Sequence, residues 1–162
     1  MSSKVELRKH FRKLRDSYSF EQIKEKSSDL FDMVIKSDEY INSKTIFCYI
    51  SFDKEIDTHA FIKQALLDNK NLCVPVVVDK KNMIASKISS FNNLMINNYG
   101  ILEPIVVEEI PKDKIDLIIV PGLCFRNDGH RVGYGAGYYD NYLNGYKGFS
   151  IGVTFKEFLT EF

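Results

Sequence analysis

Ile115-Asp116-Leu117-Ile118-Ile119-Val120 is an almost wholly apolar run that stops abruptly at Pro121-Gly122. So short a run without polar alternation reads as a strand buried on both faces, which needs a layer of structure above and below it. Strands of that kind belong to parallel sheets, and parallel neighbours must be joined by crossovers, usually helical. The rest of the chain fits. Thr45 to Ile50 and Leu72 to Val78 are further strands, and Phe149 to Thr154 is a last one. Pro75 within the second points to a sheet edge or a bulge, because proline gives no ladder hydrogen bond. Asp57 or Thr58 caps a helix with Phe61, Ile62, Ala65 and Leu66 facing a sheet, ending near Asp68-Asn69. Asp79-Lys80-Lys81-Asn82 reads as a turn, with Met83 to Ile88 pairing back as a hairpin. A short helix falls near Tyr138 to Leu143. The first 43 residues read as helical: Leu7, Phe11, Leu14 and Tyr18 share one face, and Ser19 to Gln22 is a capping box opening a second helix with Ile23, Leu30, Phe31, Val34 and Ile35 inward. The expectation is a three-layer α/β fold with a mainly parallel central sheet flanked by helices, a basic N-terminal helix, and one domain over residues 1–162.

Composition narrows the function. The chain has 162 residues, with 22 Lys+Arg against 22 Asp+Glu, and 44% of it is hydrophobic. A neutral balance argues against a nucleic-acid binder that works by bulk electrostatics. No apolar run reaches the roughly 18 residues of a membrane span, and no apolar signal follows Met1, so no membrane partner is expected. Cys48, Cys73 and Cys124 stand far apart among apolar neighbours and read as reduced core thiols of a cytoplasmic protein. His10, His59 and His130 lack metal-ligand spacing.

Chemistry concentrates where the most buried strand ends, the place where ligands gather in open α/β sheets. Gly133, Gly135 and Gly137 alternate there, so backbone amides can approach a phosphate closely. Arg131 precedes them and can make a charge-assisted contact. Asp140 follows, a hard oxygen donor suited to Mg²⁺ beside phosphates. The spacing is neither the G-x-x-x-x-G-K-[ST] phosphate loop nor the dinucleotide G-x-G-x-x-G. A turn needed only for tight packing is the plainer alternative; the flanking Arg and Asp favour phosphate binding. After the first strand, Glu55 can accept hydrogen bonds from a ligand or act as a base, or it is simply a surface residue. The basic first helix has three readings: a solvated face, an RNA- or membrane-seeking helix, or a source of Lys4 and Arg8, one turn apart, for a phosphate bound elsewhere.

Val132 to Asp140, read as V-G-Y-G-A-G-Y-Y-D and preceded by Pro121-Gly122-Leu123-x-Phe125, closely resembles the hallmark of the 5-formyltetrahydrofolate cyclo-ligase (5,10-methenyltetrahydrofolate synthetase) family. Lys4-x-x-Leu7-Arg8, Tyr49-x-Ser51-x-x-x-Glu55-Ile56-Asp57-Thr58 and Gly100-Ile101-Leu102-Glu103-Pro104 are similar to its other blocks, in the same order. The resemblance implies an enzyme that closes 5-formyltetrahydrofolate to 5,10-methenyltetrahydrofolate with ATP and Mg²⁺, releasing ADP and phosphate, its partners being small molecules and its state a monomer. It implies ATP contacts from Lys4, Arg8, Arg131, Gly133, Tyr134, Gly135, Ala136, Gly137, Tyr138 and Tyr139. Folate contacts fall to Ile50, Glu55 and the Tyr134 to Tyr138 stretch, and metal binding to Asp140. Ala136 stands where some members carry a basic residue, and Asn141 where relatives often have Arg. Relatives usually add a C-terminal segment with a metal-linked Asp, so a truncation after Phe162 is one expectation. The alternatives are a phosphosugar or acyl-CoA enzyme on a related scaffold, or a non-enzymatic nucleotide- or RNA-binding module.

Overall fold

The computed structural model describes residues 3–161. Ser3 opens helix α1 (Lys4–Asp16) with a capping box: its Oγ accepts the Glu6 amide at 3.2 Å, and the Glu6 carboxylate accepts the Ser3 amide at 3.0 Å. The expected Ser19–Gln22 box opens α2 (Phe20–Ile35) in the same way. A short α3 (Asp38–Asn42), capped by Ser37, follows. Tyr18, expected on the face of the first helix, lies past its end. Ser17 turns its hydroxyl onto the Leu14 carbonyl there, and Tyr18 packs edge-on against Phe155 and Phe158.

The chain then runs β1 (Thr45–Cys48), α4 (His59–Leu67), β2 (Asn71–Val77), β3 (Met83–Ile88), β4 (Leu94–Ile96), β5 (Leu102–Pro104), β6 (Glu109–Ile110), β7 (Leu117–Val120), β8 (Cys124–Phe125), β9 (Arg131–Val132), α5 (Tyr138–Leu143) and β10 (Phe149–Gly152). Six strands form one sheet in the order β10-β7-β1-β2-β3-β6. The first four are mutually parallel, while β3 and β6 are antiparallel additions. The last strand stops at Gly152, short of the expected Thr154. Pro75 proves to sit in an interior strand. The proline is tolerated because the register of β1 with β2 ends at Phe47 and Cys73, so at Pro75 only β3 is paired, through Ala85. The hairpins β4–β5 and β8–β9 have strands of two or three residues, too short to show alternation in sequence.

Pleating sends alternate residues to opposite faces. Ile46, Cys48, Leu72, Val74, Leu117 and Ile119 meet Phe31, Val34, Tyr40, Phe61, Ile62 and Ala65 from α2, α3 and α4. Leu30 and Ile35, expected inward on α2, are only partly buried at the margin of this layer. Phe47, Cys73, Ile118 and Val120 face the other way, onto Tyr142 of α5, Met83 and Ala85. The buried side chains of helix α1 belong to neither sheet-face cluster. Its Leu7 and Phe11 pack with Leu123, Cys124, Val132, Phe155 and Phe158, so it lies against the β8–β9 hairpin and the C-terminal turn. Each such burial contributes roughly 1.5–3 kcal/mol, enough to seat the helix beside the glycine-rich loop.

Phe47 links the core to that loop: it is fully buried, stacks on Tyr139 at 6.2 Å and meets Tyr142 edge-on at 5.0 Å. Phe47→Ala is expected to cost about 3–5 kcal/mol in urea unfolding and to loosen α5, whereas Phe47→Leu should lose much less.

Candidate active site

Strand β1 passes to β2 on one side of the sheet and β7 to β10 on the other, so the chain reverses its direction of travel between β1 and β7. At such a switch point the two following loops diverge and leave a crevice at the strands' carboxyl ends. A cleft of about 970 Å³ occupies this position, within the range of small-molecule sites. Lys4, Arg8, Ile50, Glu55, Arg131, Gly133, Tyr134, Gly135, Ala136, Gly137, Tyr138, Tyr139 and Asp140 all line it. The cleft therefore brings together every residue that the resemblance assigns to ATP, folate or metal.

The wall after β7 is shaped by three basic side chains. Arg8 Nε–H donates to the Gly133 carbonyl at 3.0 Å, and Arg12 Nη2 to the Tyr134 carbonyl at 3.3 Å. Arg131 Nη1 donates to the Pro121 carbonyl at 3.2 Å, and its Nη2 to Asp140 Oδ1 at 3.0 Å. Tying up these carbonyls from behind presents the loop as a fixed cradle. Gly135 (φ +111°) and Gly137 (φ +75°) take left-handed conformations that side chains resist. A Cβ at Gly133 would meet Arg131 Nη1 at 2.8 Å, so this glycine makes room for the guanidinium. Helix α5 has only six residues, so the anion-binding capacity lies in the loop amides and nearby cations more than in a helix dipole.

The opposite wall follows β1. Thr58, expected as a cap, has no capping bond to α4; its hydroxyl donates to the Tyr49 carbonyl at 2.7 Å and accepts the Ser51 amide at 2.9 Å. Asp57 supplies the cap, its carboxylate accepting the His59 amide at 2.9 Å. This knot holds residues 51–57, and with them Glu55, over the cleft. Glu55 is half-buried, not the surface residue of the plainer reading, and accepts the Phe52 amide at 2.8 Å. Burial raises its pKa to about 7, against the pull of that amide and of Arg15, while Asp53 adds to the rise. Burial likewise drives Tyr49 and Tyr139 well above the usual phenol range, and Tyr134 to about 12, so these phenols stay protonated. Among the described residues the buried Tyr139 hydroxyl has no hydrogen-bond partner.

Several contributors were not visible in sequence. Arg12 and Arg15 act on residues more than a hundred positions away, which no local pattern reports. The β4–β5 tip brings Asn97, Asn98 and the exposed Tyr99 to the cleft as well.

Asp140 is paired with Arg131 yet its side chain is 73% exposed, leaving carboxylate lone pairs open toward the cleft. Among the described residues no three His, Cys, Asp or Glu side chains converge on a metal cage. That donor set fits a Mg²⁺ that arrives on substrate phosphates and meets the protein through a single carboxylate. It does not fit a resident ion held by protein alone. No helix is long and apolar enough to cross a membrane among the described residues.

Comparison with known proteins bears on the family and the fold. The model of the 5-formyltetrahydrofolate cyclo-ligase family matches residues 1–156. The chain is 28% identical over 146 residues to the 5-formyltetrahydrofolate cyclo-ligase of Haemophilus influenzae, covering 88% of this chain and 78% of that one. It is 29% identical over 170 residues to the Mus musculus 5-formyltetrahydrofolate cyclo-ligase, covering 96% and 84%. The solved structure of Aquifex aeolicus 5,10-methenyltetrahydrofolate synthetase superposes with a TM-score of 0.85 at 29% identity, over 96% of this chain and 79% of that chain. On the match of its sequence and its fold, the chain belongs to the 5-formyltetrahydrofolate cyclo-ligase family.

Proposed function

We propose that this protein closes 5-formyltetrahydrofolate to 5,10-methenyltetrahydrofolate at the expense of ATP, working as a monomer in a reducing, cytoplasmic setting on small molecules alone. The observation that carries the reading is the meeting, in one cleft, of a cationic glycine loop with a desolvated carboxyl group, in a chain of this family. The first suits a triphosphate and the second a folate nitrogen.

In this reading the amides of residues 131–139 and the charges of Lys4 and Arg8 grip the phosphates, and Ile50, Glu55 and Tyr134 to Tyr138 face the folate. Asp140 would be the protein's contact to a bound Mg²⁺, which would supply charge neutralisation for the transferred group. The formyl oxygen takes the γ-phosphoryl group and ADP departs. N10 then attacks the formyl carbon, the carbon–oxygen bond breaks, and phosphate leaves with that oxygen. The proton lost from N10 needs an acceptor within the cleft, and Glu55, titrating near neutrality, suits it. Phosphoryl transfer asks for positioning and charge neutralisation more than for covalent help, which is what clamped amides and flanking cations offer.

The direct test is formation of the strongly absorbing methenyl product from 5-formyltetrahydrofolate, ATP and Mg²⁺; a folded, full-length protein that forms none overturns the reading. Arg8→Ala should raise the KM for ATP about tenfold or more, since a charge-assisted contact of this kind is worth roughly 1.5–3 kcal/mol. Asp140→Asn should raise the Mg²⁺ concentration that gives half-maximal turnover. Glu55→Gln should lower kcat/KM by about a hundredfold and flatten its rise between pH 6 and 8. The same carboxyl predicts a stability effect of definite sign. Its folded pKa lies above the ordinary carboxylate value, so its stabilising contribution is present at low pH and lost as the pH rises through about 7. Thermal melts should therefore show Glu55→Gln gaining on the wild type at pH 8 relative to pH 5.

A further inference from the structure

The turn Asp79-Lys80-Lys81-Asn82 joins β2 to β3, yet its position is set by α5. The Tyr138 hydroxyl donates to the Asp79 carbonyl at 3.2 Å, and Asn141 Nδ2 donates to the Lys81 carbonyl and to Asn82 Oδ1, both at 2.9 Å. Within the turn, Asp79 Oδ1 accepts the amides of Lys81 and Asn82, each at 2.9 Å, and the carboxylate also takes the Asn82 side-chain amide. These bonds hold the Asp79 carboxyl below its ordinary range. A hairpin tip with so many bonds, three of them to a helix some sixty residues away, is a built element. It has one evident product: Lys80 is carried to the wall of the cleft that Tyr138 and Asp140 also line.

The cations of the cleft wall are Lys4, Arg8, Lys80 and Arg131. Arg8 is engaged with the Gly133 carbonyl, and Arg131 with Pro121 and Asp140. The loop itself places Ala136 between its last two glycines and so adds no charge at that point. Among the described residues, Lys4 and Lys80 have neither a hydrogen-bond nor an ion-pair partner on their side chains. They come from different elements, α1 and the β2–β3 turn. An exposed, uncommitted ammonium at the wall of a site for anionic substrates is free to meet a substrate oxygen there.

We propose that Lys80 is a substrate-binding residue whose ammonium meets an anionic oxygen of the bound substrates, and that Asn141 is a positioning residue that sets Lys80 by holding the turn against α5. The inference rests on the ring-closure reading above and adds to it a cation from outside the glycine-rich loop and outside α1. Two sources present that oxygen, the phosphates of the nucleotide and the carboxylates at the glutamate end of the folate, and steady-state kinetics separates them.

The experiment compares wild type with Lys80→Ala, Lys80→Arg, Asn141→Ala and the Lys80→Ala/Asn141→Ala double variant, varying ATP and 5-formyltetrahydrofolate in turn. Lys80→Ala should raise one KM about tenfold or more while kcat stays within about twofold. A rise for ATP assigns the oxygen to a phosphate, and a rise for the folate assigns it to a carboxylate. Lys80→Arg should recover most of the loss. Asn141→Ala should raise the same KM by a smaller factor and add little once Lys80 is gone, since the two act as one unit. Lys80→Ala with both KM values at wild-type level overturns the proposal, and full additivity of the two substitutions overturns the positioning role. Should wild type show no turnover, the ring-closure reading fails on its own. Calorimetric titration of ATP and of 5-formyltetrahydrofolate into wild type and Lys80→Ala then decides the Lys80 contact, equal affinities for both overturning it.

Discussion

The parallel pairing of β1 with β7 is the contact on which the rest of this molecule depends. Ile46, Phe47 and Cys48 lie in register with Leu117, Ile118 and Ile119, all fully buried. Because the chain leaves the two strands in opposite directions across the sheet, no crossover closes the space beyond their carboxyl ends. The two loops that carry chemistry, one with Glu55 and one with the alternating glycines, are thereby set face to face. The same register decides which side chains support them. Phe47 points to the face where Tyr139 and Tyr142 pack, and so anchors the start of α5 directly beneath the glycine-rich loop.

Around that pair the protein assembles charge from distant segments. Helix α1 is basic and gains little from its own charge repulsion, but two buried apolar residues, Leu7 and Phe11, bind it to the β8–β9 hairpin and the C-terminal turn. Docked there, Arg8 and Arg12 donate to the Gly133 and Tyr134 carbonyls and so brace the loop. Neutral overall composition thus conceals a strongly cationic wall beside a half-buried acid. That arrangement suits a small, highly charged substrate, because the field is concentrated within a few ångströms and not spread over a surface.

Much of this was legible in the residues themselves. The apolar run before Pro121 marked the central strand, the Ser19 box marked α2, and the Gly133–Gly137 alternation marked the loop. In each case a local rule of backbone geometry or burial is written into consecutive positions. Residues whose importance comes from partners far along the chain could not be read in this way. Arg12 and Arg15 looked like ordinary members of a charge run, and Asn141 like a simple departure from a motif. Glu55 read more readily as a surface acid, since its desolvation and the pull of Arg15, forty positions away, are set by the tertiary fold.

The sequence by itself determined the layered α/β class, the chain positions of five of the six strands of the central sheet, and the family that the glycine-tyrosine block resembles. These follow from periodicity, from the conformational demands of glycine and proline, and from a block of residues too specific to recur by accident. Only the tertiary structure decided that Pro75 could sit in an interior strand, that α1 packs on the β8–β9 hairpin, and that Arg131 and Asp140 meet as a pair. It alone decided that Glu55 is desolvated and that Lys80 reaches the cleft wall. The reason is common to all of them: burial, dielectric and hydrogen-bond partnership are properties of neighbours in space, and here those neighbours are brought together by strand order and not by proximity along the chain.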